Sequence, residues 1–190
     1  MKILGICGSP RKGNTHWMIK TILDATKQEY EIIFLSEKNI RPCLGSNCKK
    51  CHKSHRCKQE DDIKEIHKKI LEANRLVLGS PTYFDNVSGI MKNFMDRCLP
   101  FCSYLFSKEL KGKKTALVAV GNFKEYLELN KNGNSKWAKE EKRSVLICLK
   151  ALENFSRIIG LNIIGKVYAT QSNPKVKQKK LISLGKRLIK

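Results

Sequence analysis

Three short segments carry the side chains whose types and spacing suit chemistry. Cys43, Cys48, Cys51 and Cys57 stand in the pattern C-x4-C-x2-C-x5-C, near enough in sequence for four thiolates to surround one metal centre. Bacterial-type iron-sulfur runs use two-residue gaps, which only the middle gap shares. Tetrahedral sulfur also suits zinc, and His52 and His55 fall inside the segment. A bare thiol loop is the third reading, and a 4Fe-4S cluster is the one favoured. The other four cysteines, Cys7, Cys98, Cys102 and Cys148, lie in strand or helix contexts and are expected to be small buried hydrophobes.

The second segment, Gly8 to Thr15 (GSPRKGNT), curls on small residues so that its backbone N–H groups face an anion at the start of a helix. Ser9, Asn14 and Thr15 add donors, and Arg11 adds charge suited to phosphate. Gly8 and Gly13 have P-loop spacing, but Asn14 stands where that motif needs lysine, which disfavours nucleotide hydrolysis. The third segment, Ser80 to Gly89 (SPTYFDNVSG), offers Tyr83 and Phe84 as a flat apolar surface, with Pro81 holding the turn. An anion cradle beside an aromatic-bearing loop fits a phosphorylated planar cofactor, and FMN meets both demands.

The elements that must position these segments follow from pattern. Short apolar runs at Lys2 to Cys7, Glu31 to Leu35, Arg75 to Gly79, Thr115 to Val120 and Asn162 to Thr170 read as five strands. Helical stretches separate them, at about Thr15 to Thr26, from Asp61 or Asp62 to Ala73, Ile90 to Cys98 and Lys139 to Ile158, and a tail helix carries Leu181, Leu184 and Leu188 on one face. A polar segment, Phe123 to Lys136, joins the fourth strand to its helix. Apolar strands alternating with helices argue for a three-layer α/β domain with a parallel sheet covered on both faces. In such a sheet the loops that follow the strands emerge along one edge, near the point where strand order reverses. His16 and His67 are expected on helix surfaces.

Composition bounds the rest. The 190 residues suit one domain, expected to span 1–190 with a cysteine-rich insertion at about 40–58. No apolar run approaches the roughly 18 residues of a membrane span, and the run before Gly8 is too short for a secretory signal. A cytoplasmic location is therefore expected, where cysteines serve metals or redox chemistry before disulfides. The net charge of +21 comes from 38 basic and 17 acidic residues. Lysine outnumbers arginine 30 to eight, which favours a solvated surface or an acidic protein partner over nucleic-acid recognition.

GSPRKGNT, SPTYFDNVSGIMKNFMDR and the cysteine segment together resemble the flavodoxin-fold NADPH-dependent FMN reductase family, and within it the iron-sulfur flavoproteins. That resemblance covers nearly the whole chain and implies strand order 2-1-3-4-5. It implies that Ser9, Arg11, Gly13, Asn14 and Thr15 hold the FMN phosphate, that Pro81, Thr82, Tyr83, Phe84 and Asn86 border the ring, and that Gly121 and Asn122 lie near it. Cys43, Cys48, Cys51 and Cys57 become the cluster ligands, although related proteins usually have C-x2-C-x2-C and the first gap here is two residues longer. It also implies an electron-transfer oxidoreductase with no catalytic side chain, a ferredoxin or NAD(P)H as redox partner, and a dimer or tetramer. The alternatives are a cluster-free NAD(P)H-dependent flavin or quinone reductase and, from another class, a basic zinc-containing nucleic-acid-binding module. One residue departs from the family pattern: Asp85 replaces a common glycine. A carboxylate facing the ring would disfavour anionic reduced flavin, and one facing water would not.

Overall fold

A computed structural model describes residues 1–45, 51, 54, 56–102, 108–121, 135–170 and 173–190. Five strands form a parallel sheet: β1 (Ile3–Cys7), β2 (Tyr30–Phe34), β3 (Arg75–Tyr83), β5 (Lys114–Val120) and β6 (Asn162–Ala169), in the order β2-β1-β3-β5-β6. That is the expected order. A sixth strand, the two-residue β4 (Asn86–Val87), folds back antiparallel on the end of β3.

Alternation along the strands feeds two cores. Leu4, Ile6, Leu76, Leu78, Leu117 and Ala119 point to one face, while Ile3, Val77, Ala116 and Val118 point to the other, as a period of two requires. On the first face lie α2 (Ile63–Glu72), α3 (Gly89–Arg97) and α4 (Ser135–Ile158), through buried residues such as Ile66, Phe94 and Leu152. On the second lie α1 (Asn14–Asp24) and α5 (Gln178–Leu188), whose Ile22 and Leu184 are buried. The tail leucines pack as their spacing predicts.

Several boundaries differ from expectation. α4 begins at Ser135, four residues before Lys139 and within the expected polar segment, and the rest of that segment, Phe123 to Asn134, lies outside the described residues. β3 continues past Gly79 to Tyr83 because Pro81 stands beside Val120 at the end of the ladder, where its missing N–H is tolerated. β1 and β3 are neighbours, yet α1 and α3, which follow them, lie on opposite faces of the sheet. The turns leaving these strands therefore diverge at the sheet's carboxyl edge, the usual ligand position in open α/β sheets.

Candidate functional site

The first turn is shaped by its own side chains. Ser9 is buried, and its hydroxyl donates to the Arg11 carbonyl at 2.7 Å while accepting the Arg11 N–H at 3.3 Å. Gly13 caps α1 without a side-chain bond, so the N–H groups that a helix leaves unmatched in its first turn face the loop. Thr15 is buried, and Arg11 is exposed.

The β3–β4 hairpin closes the other side. Phe84 and Asp85 both have positive φ, at 46° and 57°, and Tyr83 pairs with Asn86. This is the two-residue turn whose handedness matches strand twist, made here without glycine. The turn lifts Tyr83 and Phe84 into solvent, at 48% and 105% exposure. Beneath them Thr82 Oγ1 is buried with no hydrogen-bond partner of ordinary geometry, the Cys148 thiol being only a weak neighbour. An orphaned hydroxyl beside an exposed aromatic pair suits the polar edge of a planar ring. The Asp85 carboxylate is partly exposed and pairs with Arg143 of α4, 2.8 Å from its Nη2.

Ser88 joins the two sides. It caps α3, accepting the Met91 N–H, and its hydroxyl donates to the Gly8 carbonyl. The Gly8 N–H in turn donates to the Gly79 carbonyl at 2.8 Å. A Cβ on Gly8 would lie 2.8 Å from that of Met91, so only glycine permits this approach. Turn and hairpin are thus one rim. Gly121 follows Val120, the sheet partner of Pro81; its N–H donates to the Ala169 carbonyl and it is packed under Val145 and Glu141. Asn122 lies outside the described residues.

At the far end of α3, Cys43, Cys51 and Cys57 line one cavity with Asp96, Arg97 and Leu99. Cys43 is exposed, whereas Cys51 and Cys57 are buried. Cys48, His52 and His55 lie outside the described residues. Arg97 has no exposed side-chain surface. Its Nε and Nη2 lie 3.2 and 3.1 Å from Cys57 Sγ, and it forms a two-pronged pair with Asp61 at 2.7 and 3.0 Å. Asp61 is equally enclosed and also accepts the N–H groups of Arg41 and Ile63. Burial works against the Asp61 carboxylate, yet the Arg97 donors and charge together with the Arg41 and Ile63 N–H groups outweigh it and hold its pKa below the usual range.

The remaining cysteines behave as expected. Burial pushes the Cys7 and Cys148 thiols up to about 11 and raises Cys98 well above its ordinary value, so they stay protonated and unreactive at neutral pH. His67 does not lie on the surface as expected. It is only 8% exposed and packs on Phe101 at 4.6 Å, because it shares the buried stripe of Ile63, Ile66 and Ile70 on α2. Sequence reasoning also missed Arg97, Asp61 and Ser88. Arg97 could have been found, since it continues the i, i+3 row of Met91 and Phe94 and a cation on an apolar stripe demands a partner.

This geometry is that of the flavodoxin-like fold. The family model for NADPH-dependent FMN reductase matches residues 1–131, and the chain belongs to that family. Among curated relatives, an iron-sulfur flavoprotein of Methanocaldococcus jannaschii is 41% identical over 125 residues, covering 64% of this chain and 62% of the relative. An iron-sulfur flavoprotein of Archaeoglobus fulgidus is 45% identical over 100 residues, covering 51% and 48%. The matches thus span about half to three-fifths of these relatives' lengths. Among solved structures, a flavone reductase superposes with TM-score 0.69 at 18% identity, covering 98% of this chain and 61% of that one. An NAD(P)H:quinone oxidoreductase from Methanothermobacter marburgensis gives 0.67 at 17%, covering 99% and 98%. At these identities the structures speak for the fold alone. Among the described residues no helix is long and apolar enough to cross a membrane.

Proposed function

We propose that this chain is an FMN-dependent oxidoreductase of the iron-sulfur flavoprotein kind, moving electrons between a reduced donor and an acceptor. The observation that carries the proposal is the Ser88 link, which makes the phosphate-type turn and the aromatic hairpin one rim. Ser9, Arg11, Gly13, Asn14 and Thr15 form the phosphate end. Ser9 shapes the turn, Arg11 supplies charge, and the helix start supplies N–H donors. Pro81, Thr82, Tyr83, Phe84 and Asn86 border the ring, and Thr82 Oγ1 is the donor or acceptor still to be matched. Gly121, at the end of β5, and Asn122, next in sequence, are the further candidates near the ring.

Cys43, Cys48, Cys51 and Cys57 hold a 4Fe-4S cluster. Cys43, Cys51 and Cys57 share the walls of one cavity, an arrangement that can offer one thiolate to each iron of a polynuclear cluster. A tetrahedral zinc site on the same sulfurs is the competing reading, and the metal assay below separates the two. When bound, flavin exchanges one or two electrons and the cluster exchanges one at a time.

The chain works as a single domain, with the cysteine segment as an insertion. Cysteines that serve a metal or redox chemistry accord with a reducing cytoplasm. Leu146, Ile147 and Ile158, exposed on α4, accord with a homo-oligomer. The +21 surface favours an acidic donor such as a ferredoxin, with NAD(P)H as the other candidate. Transfer from a ferredoxin is expected to slow steeply with salt, and salt-independent rates would point to NAD(P)H.

The deciding experiment is anaerobic purification followed by an absorption spectrum and assays of iron, zinc, sulfide and flavin. Iron, sulfide and flavin together are expected. Zinc without iron would remove the cluster from the reading, and apo-protein indifferent to FMN would overturn the whole. Cys51→Ala should lose iron and keep flavin.

A further inference from the structure

Within the motif that carries the family resemblance, Arg97 has no role in holding flavin, yet among the described residues it is the largest fully buried side chain. Its environment accounts for every N–H it has. Nη1 donates to the Arg41 carbonyl and to Asp61 Oδ2, Nη2 to Asp61 Oδ1 and Cys57 Sγ, and Nε to Cys57 Sγ. A guanidinium carries five N–H groups, and these five contacts use them all. Asp61 alone would neutralise the cation, so the pair of bonds to sulfur is a separate feature. It requires the sulfur to be an acceptor, which a thiolate is far more fully than a thiol.

We propose that Arg97 is a positioning residue that holds the Cys57 thiolate by two N–H donors and raises the reduction potential of the cluster that Cys57 ligates. The inference rests on the cluster reading above. Its physical basis is charge. Reduction adds one electron to a centre that is already anionic through its four thiolates. A fixed cation about 3 Å from one ligand sulfur stabilises the added charge. Hydrogen bonds to the sulfurs and local net charge are the levers by which proteins set such potentials. Asp61 orients the fork and at the same time offsets part of its charge, so it acts in the opposite direction.

The two partners therefore give opposite signs. Arg97→Gln removes the cation, and at a fixed ambient potential the ratio of reduced to oxidised cluster should fall about tenfold or more, or about 59 mV for each factor of ten in a one-electron couple. Asp61→Asn leaves the cation uncompensated, and the ratio should rise. The measurement is an anaerobic titration with dithionite and mediators on the purified holoprotein, with the cluster followed by electron paramagnetic resonance and iron and sulfide counted in each sample. The flavin midpoint, read from absorbance in the same titration, should stay where it is. A purely structural Arg97–Asp61 pair predicts equal loss of iron in both variants and unchanged potentials in whatever cluster remains. Shifts of the same sign, or none, overturn the inference. If Arg97→Gln does not reconstitute, Asp61→Asn decides alone: a raised ratio supports the proposal, and an unchanged or lowered one refutes it. Wild-type protein without iron would overturn the cluster reading and this inference with it. A wild-type cluster with unmoved variants would overturn only the latter.

Discussion

Replacing Ser88 with alanine tests whether the turn and the hairpin act as one rim. The hydroxyl is buried and makes two bonds, accepting the Met91 N–H and donating to the Gly8 carbonyl. Loss of a helix cap lowers stability by about 1 kcal/mol. The Gly8 carbonyl, left unmatched in a buried site, adds about 1 to 2 kcal/mol. The sum, about 2 to 3 kcal/mol, corresponds to roughly 5 to 10 °C in melting temperature for a chain of this size. Urea unfolding of the apo-protein measures this stability change, and fluorescence titration with FMN measures the second effect. The turn would lose its tether to the hairpin, so FMN binding should weaken at least tenfold, about 1.4 kcal/mol. Ser183→Ala, on the exposed side of α5, should leave both within about 0.5 kcal/mol. If Ser88→Ala behaved like that control, the coupling of the two loops through Ser88 would be wrong.

Two further outcomes follow from particular environments. Burial, and then the charge of Arg97, lower the His67 pKa from 6.5 to about 4. Between those values the unfolded chain takes up a proton that the folded chain refuses, so stability should fall by about 3 kcal/mol as pH drops from 6.5 to 4. His67→Leu should flatten that slope in urea melts at several pH values, and an unchanged slope would place the titration elsewhere. At the hairpin, Asp85→Gly relieves a positive φ but loses an exposed ion pair worth at most about 1 kcal/mol, whereas Asp85→Ala loses the pair and keeps the strain. Thermal melts should rank glycine above alanine by about 1 kcal/mol, and equal values would contradict the left-handed turn.

Much of the fold was legible because burial follows period. The strands declare themselves through alternate residues that serve two faces, and the tail helix does so through Leu181, Leu184 and Leu188. What escaped was set by context. Pro81 reads locally as a turn, yet at a strand's end its missing N–H does no harm, so β3 runs on to Tyr83. Phe84 carries no signal for positive φ, and Asp85, though aspartate tolerates it better than most residues, carries only a weak one. His67 sits among lysines in sequence but on the inner stripe in space. The contacts of Arg97 with Asp61 and Cys57 join residues 36 and 40 positions apart, and no local pattern encodes such a meeting. The candidate site was legible as three motifs and one edge. The bonds that fasten those motifs together were not.

Helix α3 begins beside Gly8 and ends beside Cys57, and its nine residues make a rod of roughly 13 Å at 1.5 Å per residue. Surface loops elsewhere can gain or lose residues over a lineage's history at little expense. This span cannot. One inserted residue would rotate Arg97 by about 100° from its sulfur, and a whole added turn would carry it about 5.4 Å farther away. Descendants of this protein are therefore free to vary either end in chemistry, but they inherit the interval between the ends as a fixed length.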